Sequence, residues 1–285
     1  MKLLVALLVA LVLLAWLPSE ARLQRRYEVV DRPLPPSPPG LGMERGRHLA
    51  ESLTLCGHCH GADLGGAEVV ALPGLGTLWA PNLTTANRAS DRPERRLAWT
   101  RALRFGVGAG GRTLVAMPSV HLGVLGPRDL ADLLAYLETV PLVHRESPDR
   151  RIGPLARLSL SLGRGSDVLS AEWAADRTPR DDTPSPAPNA GYGAYLARIG
   201  LCHLCHHEDL SGGLHPLALP GEPEPPDLRR SGPSAAWTLE EFALAMRAGQ
   251  TPDGRRLDPS FMPWPRYAAL SDLEIEALWR YLREP

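Results

Sequence analysis

Two short stretches hold the reactive residues of this 285-residue chain: LCGHCHGADLGG at 55–66 and LCHLCHHEDLSGG at 201–213. Each has two cysteines three apart and a histidine directly after them. On one turn of helix the two sulfurs share a side, and the histidine ring follows toward the same region. That arrangement suits covalent haem attachment, with two thioether bonds and the histidine as proximal iron ligand. A CxxC pair by itself is also compatible with a redox dithiol or half a zinc site. A histidine in the same place in both copies favours haem. The zinc reading would have to join pairs that lie 146 positions apart. All four cysteines, Cys56, Cys59, Cys202 and Cys205, belong to these pairs, whereas a secreted disulfide scaffold of this length scatters more of them.

A low-spin haem needs a sixth ligand, and two methionines stand at matched distances. Met117 follows Cys56 by 61 residues and Met262 follows Cys202 by 60, each with a proline next. Met1, Met43 and Met246 have no counterpart in the other copy. The competing reading is methionine as core filler. A thioether ligand is soft and favours Fe(II), which raises the reduction potential relative to two histidines. His121 rivals Met117 as a ligand, but the second copy has Arg266 at that register, which makes His121 a surface residue in this reading.

The elements that position these residues also occur twice. A glycine starts a helical pattern in GRHLAESLTLC and again in GAYLARIGLC. After CxxCH the copies share ALPG (71–74 and 218–221), then Pro81-Asn82-Leu83 and Pro226-Asp227-Leu228, then Trp-Thr at 99–100 and 237–238. From the methionines onward the register holds without gaps to Tyr136 and Tyr281. Apolar spacing predicts closing helices near 127–139 and 271–283, and further helices near 93–105 and 238–248. Ser271 with Glu274 reads as an N-cap and its third-position partner. Each copy therefore has about three helices joined by long loops rich in glycine and proline. Alternating β-branched runs are nearly absent, so an extensive sheet is not expected.

The remaining segments frame the copies. Leu3 to Leu17 is an unbroken apolar run behind Lys2, short for a membrane span and followed by Ser19-Glu20-Ala21 and by Arg22, Arg25 and Arg26. Residues 1–21 read as a signal peptide or an N-terminal membrane anchor, and 22–42 as a proline-rich spacer. Residues 43–141 and 189–285 are the two domains. Residues 142–188 form a proline-rich, charged linker with room for one short helix in PLARLSLSLG. The apolar start implies export, so the expected location is extracytoplasmic: the periplasm or the outer face of the cytoplasmic membrane. A formal net charge of -1 argues against a nucleic-acid binder.

Taken together, each copy resembles a class I c-type cytochrome domain, and the whole resembles the dihaem, membrane-associated cytochrome c proteins of bacteria. The resemblance implies a mainly α fold of two tandem cytochrome c domains holding two covalently attached haem c groups. It implies His60 and His206 as proximal ligands, Met117 and Met262 as distal ones, and the Pro81 and Pro226 carbonyls as acceptors for the histidine Nδ1 protons. The implied partners are redox proteins: a dehydrogenase as donor, and an oxidase or small cytochrome as acceptor. With both axial positions filled, the expected role is single-electron transfer rather than catalysis. The alternative is a peroxidase-like dihaem enzyme in which one haem opens its sixth position. In the family a glycine often follows CxxCH, as at Gly61; His207 departs from that. His203 and His207 are expected to face solvent.

Overall fold

The computed structural model describes residues 2, 16–84, 92–165, 167–174, 178–214 and 222–284. The apolar run at 3–15 and the second ALPG at 218–221 lie outside the described residues. No helix among those described is long and apolar enough to cross a membrane.

Packing divides the chain into two compact units. One contains Met1–Pro33, Cys59–Gly123 and Glu138–Thr178; the other contains Leu34–His58, Val124–Leu137 and Pro179–Pro285. The units do not follow the repeat boundaries, because the opening and closing helices of the first repeat group with the second repeat.

Those helices define the second unit. The first opening helix, Leu41–His48, packs on the first closing helix, Pro127–Leu137, and Ala190–Ile199 packs on Asp272–Tyr281 in the same way. Each closing helix buries one stripe: Leu130, Leu133, Leu134 and Leu137 in the first, Ile275 and Leu278 in the second, continued by Leu282 at its C-cap. Each such side chain contributes about 1.5–3 kcal/mol by leaving water. The helices approach closely because a glycine sits at each crossing. A Cβ on Gly46 would lie 2.0 Å from the Asp132 carbonyl oxygen, and one on Gly193 would lie 2.0 Å from that of Ala277. These glycines are therefore inside their helices rather than at the start, as sequence pattern suggested. At both positions glycine marks a close helix–helix contact and not a helix boundary.

The ends of the helices are chemically marked. Ser271 Oγ accepts from the Glu274 amide at 3.3 Å, and the Glu274 carboxylate accepts from the Ser271 amide at 3.0 Å. Thr238 and Glu241 form the same reciprocal cap on helix Leu239–Ala248. Asn189 caps Ala190–Ile199 by accepting from the Tyr192 amide at 2.9 Å. Each cap satisfies amides that the helix cannot, worth about 1 kcal/mol.

A buried ionic cluster ties the two helix pairs together. Arg45 forks onto Asp129 at 3.0 Å through both Nε and Nη2, and its Nη1 reaches Glu274 at 3.1 Å. His48 Nε2 lies 2.9 Å from the Glu274 carboxylate, and Tyr195 donates to Asp129 at 2.6 Å. Burial alone would raise the Glu274 pKa. The His48 hydrogen bond and charge, the Ser271 amide and Arg45 instead hold it down at about 2.

In the first unit, β1 (Ala67–Leu72), β2 (Gly76–Ala80) and β3 (Arg151–Ile152) form a small antiparallel sheet in that order. β3 comes from the stretch read as linker, which also forms helices Pro154–Ser161 and Ser170–Ala174. Residues 16–24 are helical and dock on it. There Leu23 is buried with Leu160 and Leu169, and Arg22 forks onto Glu172.

Candidate haem-attachment sites

The chain before each CxxCH is shaped in the same way. Leu55 and Leu201 take positive φ, 51° and 60°, which reverses the backbone and starts the short helices Cys56–Cys59 and Cys202–Cys205. Both cysteines of a pair thus share one helical turn. In the first copy the opening helix ends in a π turn, Leu49–Leu53, where the Thr54 amide reaches the Leu49 carbonyl at 2.8 Å. Thr54 Oγ1 then lies 3.2 Å from Cys56 Sγ. All four thiols are free, and burial raises the pKa of Cys59 and Cys205 and pushes Cys202 up to about 12. A thiol held in its protonated form is a poor redox nucleophile. Among the described residues no cluster of three or more histidine, cysteine or acidic side chains could hold a metal ion.

The two histidines are placed alike. His60 and His206 are each 7% exposed. His60 Nδ1 lies 2.8 Å from the Pro81 carbonyl oxygen, and His206 Nδ1 lies 2.9 Å from that of Pro226. Burial lowers both imidazole pKa values, against the opposing pull of the proline carbonyls, so each ring is held neutral. A neutral ring donating from Nδ1 leaves Nε2 with its lone pair, the form that ligates a metal.

The proline loops reach the histidines through matching backbone bonds. The Leu83 amide donates to Leu64 at 2.9 Å, and the Leu228 amide donates to Leu210 at 3.0 Å. Asn82, buried, also donates its Nδ2 to the carbonyls of Val143 and Arg145 at 2.9 Å, which fixes the loop carrying Pro81. His207 takes the same left-handed backbone as Gly61, φ 66° against 80°. A side chain there costs about 1–2 kcal/mol, and the attachment turn keeps its shape.

Met117 and Met262 sit on matching turns. The Ser119 amide donates to the Met117 carbonyl at 2.7 Å and the Trp264 amide to the Met262 carbonyl at 2.7 Å. The intervening Pro118 and Pro263 have φ/ψ of -78°/51° and -76°/47°. These are inverse γ-turns, for which proline pre-sets φ. Each turn runs straight into a four-residue helix, Ser119–Leu122 or Trp264–Tyr267. The Met117 loop is held by the stretch read as linker: the Ala116 amide donates to Val168 at 2.7 Å and the Ser170 amide to Leu114 at 3.0 Å.

Two histidines expected at the surface are buried. His121 is not on the surface; it is fully buried, edge-on to Trp173 with ring centroids 5.1 Å apart. His203 is not solvent-facing either: it is 4% exposed, with Nδ1 2.9 Å from the Glu208 carbonyl. Both face packing partners that sequence register could not supply. His207 is half-buried, its Nε2 3.2 Å from the Gly213 carbonyl.

The donor set fits haem c at both places: paired thiols on one turn, and a neutral buried imidazole oriented by a proline carbonyl. Known proteins point the same way. Residues 43–141 match the family model described as "Cytochrome c". A nicotinate dehydrogenase chain of Pseudomonas putida is 30% identical over 186 residues, 60% of this chain and 15% of that protein. The gluconate 2-dehydrogenase cytochrome c subunit of Pantoea cypripedii is 35% identical over 98 residues, 31% of this chain and 21% of the relative. The fructose dehydrogenase cytochrome subunit of Gluconobacter japonicus is 31% identical over 113 residues, 36% and 23% of the two chains. The chain thus spans less than a quarter of the length of each of these relatives. Residues 43–141 of this mainly helical chain match a cytochrome c domain, and that match implies covalently bound haem c with iron.

Proposed function

We propose that the chain is an extracytoplasmic dihaem cytochrome c that relays single electrons from a dehydrogenase to a terminal acceptor. The single observation that carries this reading is the doubled CxxCH turn with its histidine Nδ1 on a proline carbonyl, at 2.8 and 2.9 Å. In this reading, residues 189–285 are a second cytochrome c domain. Cys56 and Cys59 with His60 and Met117 hold one haem; Cys202 and Cys205 with His206 and Met262 hold the other. Bound haem supplies a one-electron Fe(III)/Fe(II) couple. With His60 and Met117 committed to one iron and His206 and Met262 to the other, the chain would leave neither iron a position for substrate. Pro81 and Pro226 fix the imidazole orientation and raise its basicity.

A dehydrogenase as donor is supported by the three relatives above, each named as part of a dehydrogenase. The second repeat carries 9 arginines against 13 acidic residues, a surface suited to a basic partner through weak, salt-sensitive contacts. Retention of the N-terminal segment as an anchor is supported by the docking of Ser19 and Glu20: Ser19 is 0% exposed, and Arg157 Nη1 donates to Ser19 Oγ at 3.1 Å and to Glu20 at 2.9 Å.

Haem content and spectra of the purified protein test the proposal. Two covalently bound haems per chain, both low-spin with the near-infrared methionine–iron band, are expected. A high-spin haem, or rapid turnover of peroxide, would replace the carrier with an enzyme.

A further inference from the structure

The second methionine turn makes a contact outside its own repeat. Arg266 Nη2 donates to the Gly57 carbonyl at 3.3 Å. The guanidinium also lies against the Gly57 backbone: a Cβ there would be 3.2 Å from both Nη atoms and 3.3 Å from Cζ. Gly57 stands between Cys56 and Cys59. The next residue, buried Tyr267, donates to the Gly200 carbonyl at 2.6 Å, two positions ahead of Cys202. Helix Trp264–Tyr267 packs as well on the π turn Leu49–Leu53. One four-residue helix following Met262 therefore touches the chain beside both CxxCH motifs.

The repeats differ reciprocally at these two positions. The slot of Gly57 holds His203 in the second repeat, and the slot of Arg266 holds His121 in the first. The missing side chain and the arginine that fills its space occur together, once. No carboxylate pairs with Arg266 among the described residues, so its charge is not neutralised by a partner there.

We propose that Arg266 is a positioning residue for electron exchange between the two haems. It clamps the loop of the second iron's methionine onto the first attachment turn and sets a positive charge against Gly57, between the two cysteines of that turn. The inference rests on the dihaem reading above. An electron that crosses leaves one ferrous centre and arrives at a ferric one; no bond breaks and no proton moves.

The test uses the full-length, haem-loaded protein with Arg266→Gln and Arg266→Lys. At an effective dielectric of about 20, a unit charge acting across about 12 Å would change a one-electron equilibrium by about tenfold, and more weakly at longer range. Removing it disfavours Fe(II), so Arg266→Gln should lower the first haem's potential. The shift should be at most about tenfold in the oxidised-to-reduced ratio, or about 59 mV for a one-electron couple. The first haem is assigned as the one that Met117→Ala shifts. Flash reduction should show slower equilibration between haems in Arg266→Gln, with the methionine–iron band intact. Arg266→Lys should restore the potential. Two haems with an unmoved first potential in Arg266→Gln, or a shift that lysine does not reverse, would overturn the role of Arg266 and leave the dihaem reading standing. A wild-type chain with a single haem would overturn both.

Discussion

Glu274 is the residue whose loss the two helix pairs should feel most. Its side chain is 5% exposed and accepts from Arg45 and His48, while its own carboxylate closes the Ser271 cap. A carboxyl held at about 2 against an ordinary 4.5 carries about 3 kcal/mol of folding stability, with little lost to solvent screening at this exposure. Removing one partner of a buried pair costs about 3–5 kcal/mol by a separate route, and the low end applies here because Arg45 keeps its fork onto Asp129. The two routes agree, so Glu274→Ala should lower the unfolding free energy by about 3–4 kcal/mol in denaturant titrations at neutral pH. The sign with pH follows from the depressed pKa. The contribution is complete above about pH 4.5 and is lost as pH falls toward 2, with about 2 kcal/mol gone by pH 3. Glu274→Gln keeps a side-chain acceptor for the cap and removes only the charge. The gap between wild type and Glu274→Gln should therefore narrow as pH drops from 7 to 3. A cost under about 1 kcal/mol at neutral pH, or a gap that does not narrow, would refute the claim that this cluster fastens the helices.

Further expectations follow from the repeats. Gly193→Ala places a methyl 2.0 Å from the Ala277 carbonyl, so thermal melts should show destabilisation of about 3 kcal/mol, with Gly46→Ala similar. Under the proposed ligation, Met117→Ala and Met262→Ala should each lower one haem potential and leave the other nearly fixed, as read by optical redox titration. Replacing His206 should abolish the second low-spin haem. His207→Gly should keep it and stabilise the fold by about 1 kcal/mol, because glycine takes a φ of 66° without strain.

Local periodicity and repetition made part of this protein legible from its residues alone. The CxxCH turns, the Met-Pro pairs, the helices at Pro127–Leu137 and Asp272–Tyr281, and the Ser271–Glu274 cap could all be read, because each depends on residues within a turn or two of one another. Comparing copies also singled out His60 and His206 among neighbouring histidines. What faces these elements is settled by packing. Glu274 reads in sequence only as a capping residue, yet it anchors Arg45, 229 positions away. The stretch at 142–188 reads as a proline-rich, charged connector, yet the Val168 carbonyl and the Ser170 amide complete the Met117 loop. Gly57 and Arg266 look like ordinary differences between copies until the fold sets one against the other across 209 positions. Such pairings leave no spacing signal, since a contact made by chain reversal depends on where whole helices cross, and that is set by packing volume and buried charge together.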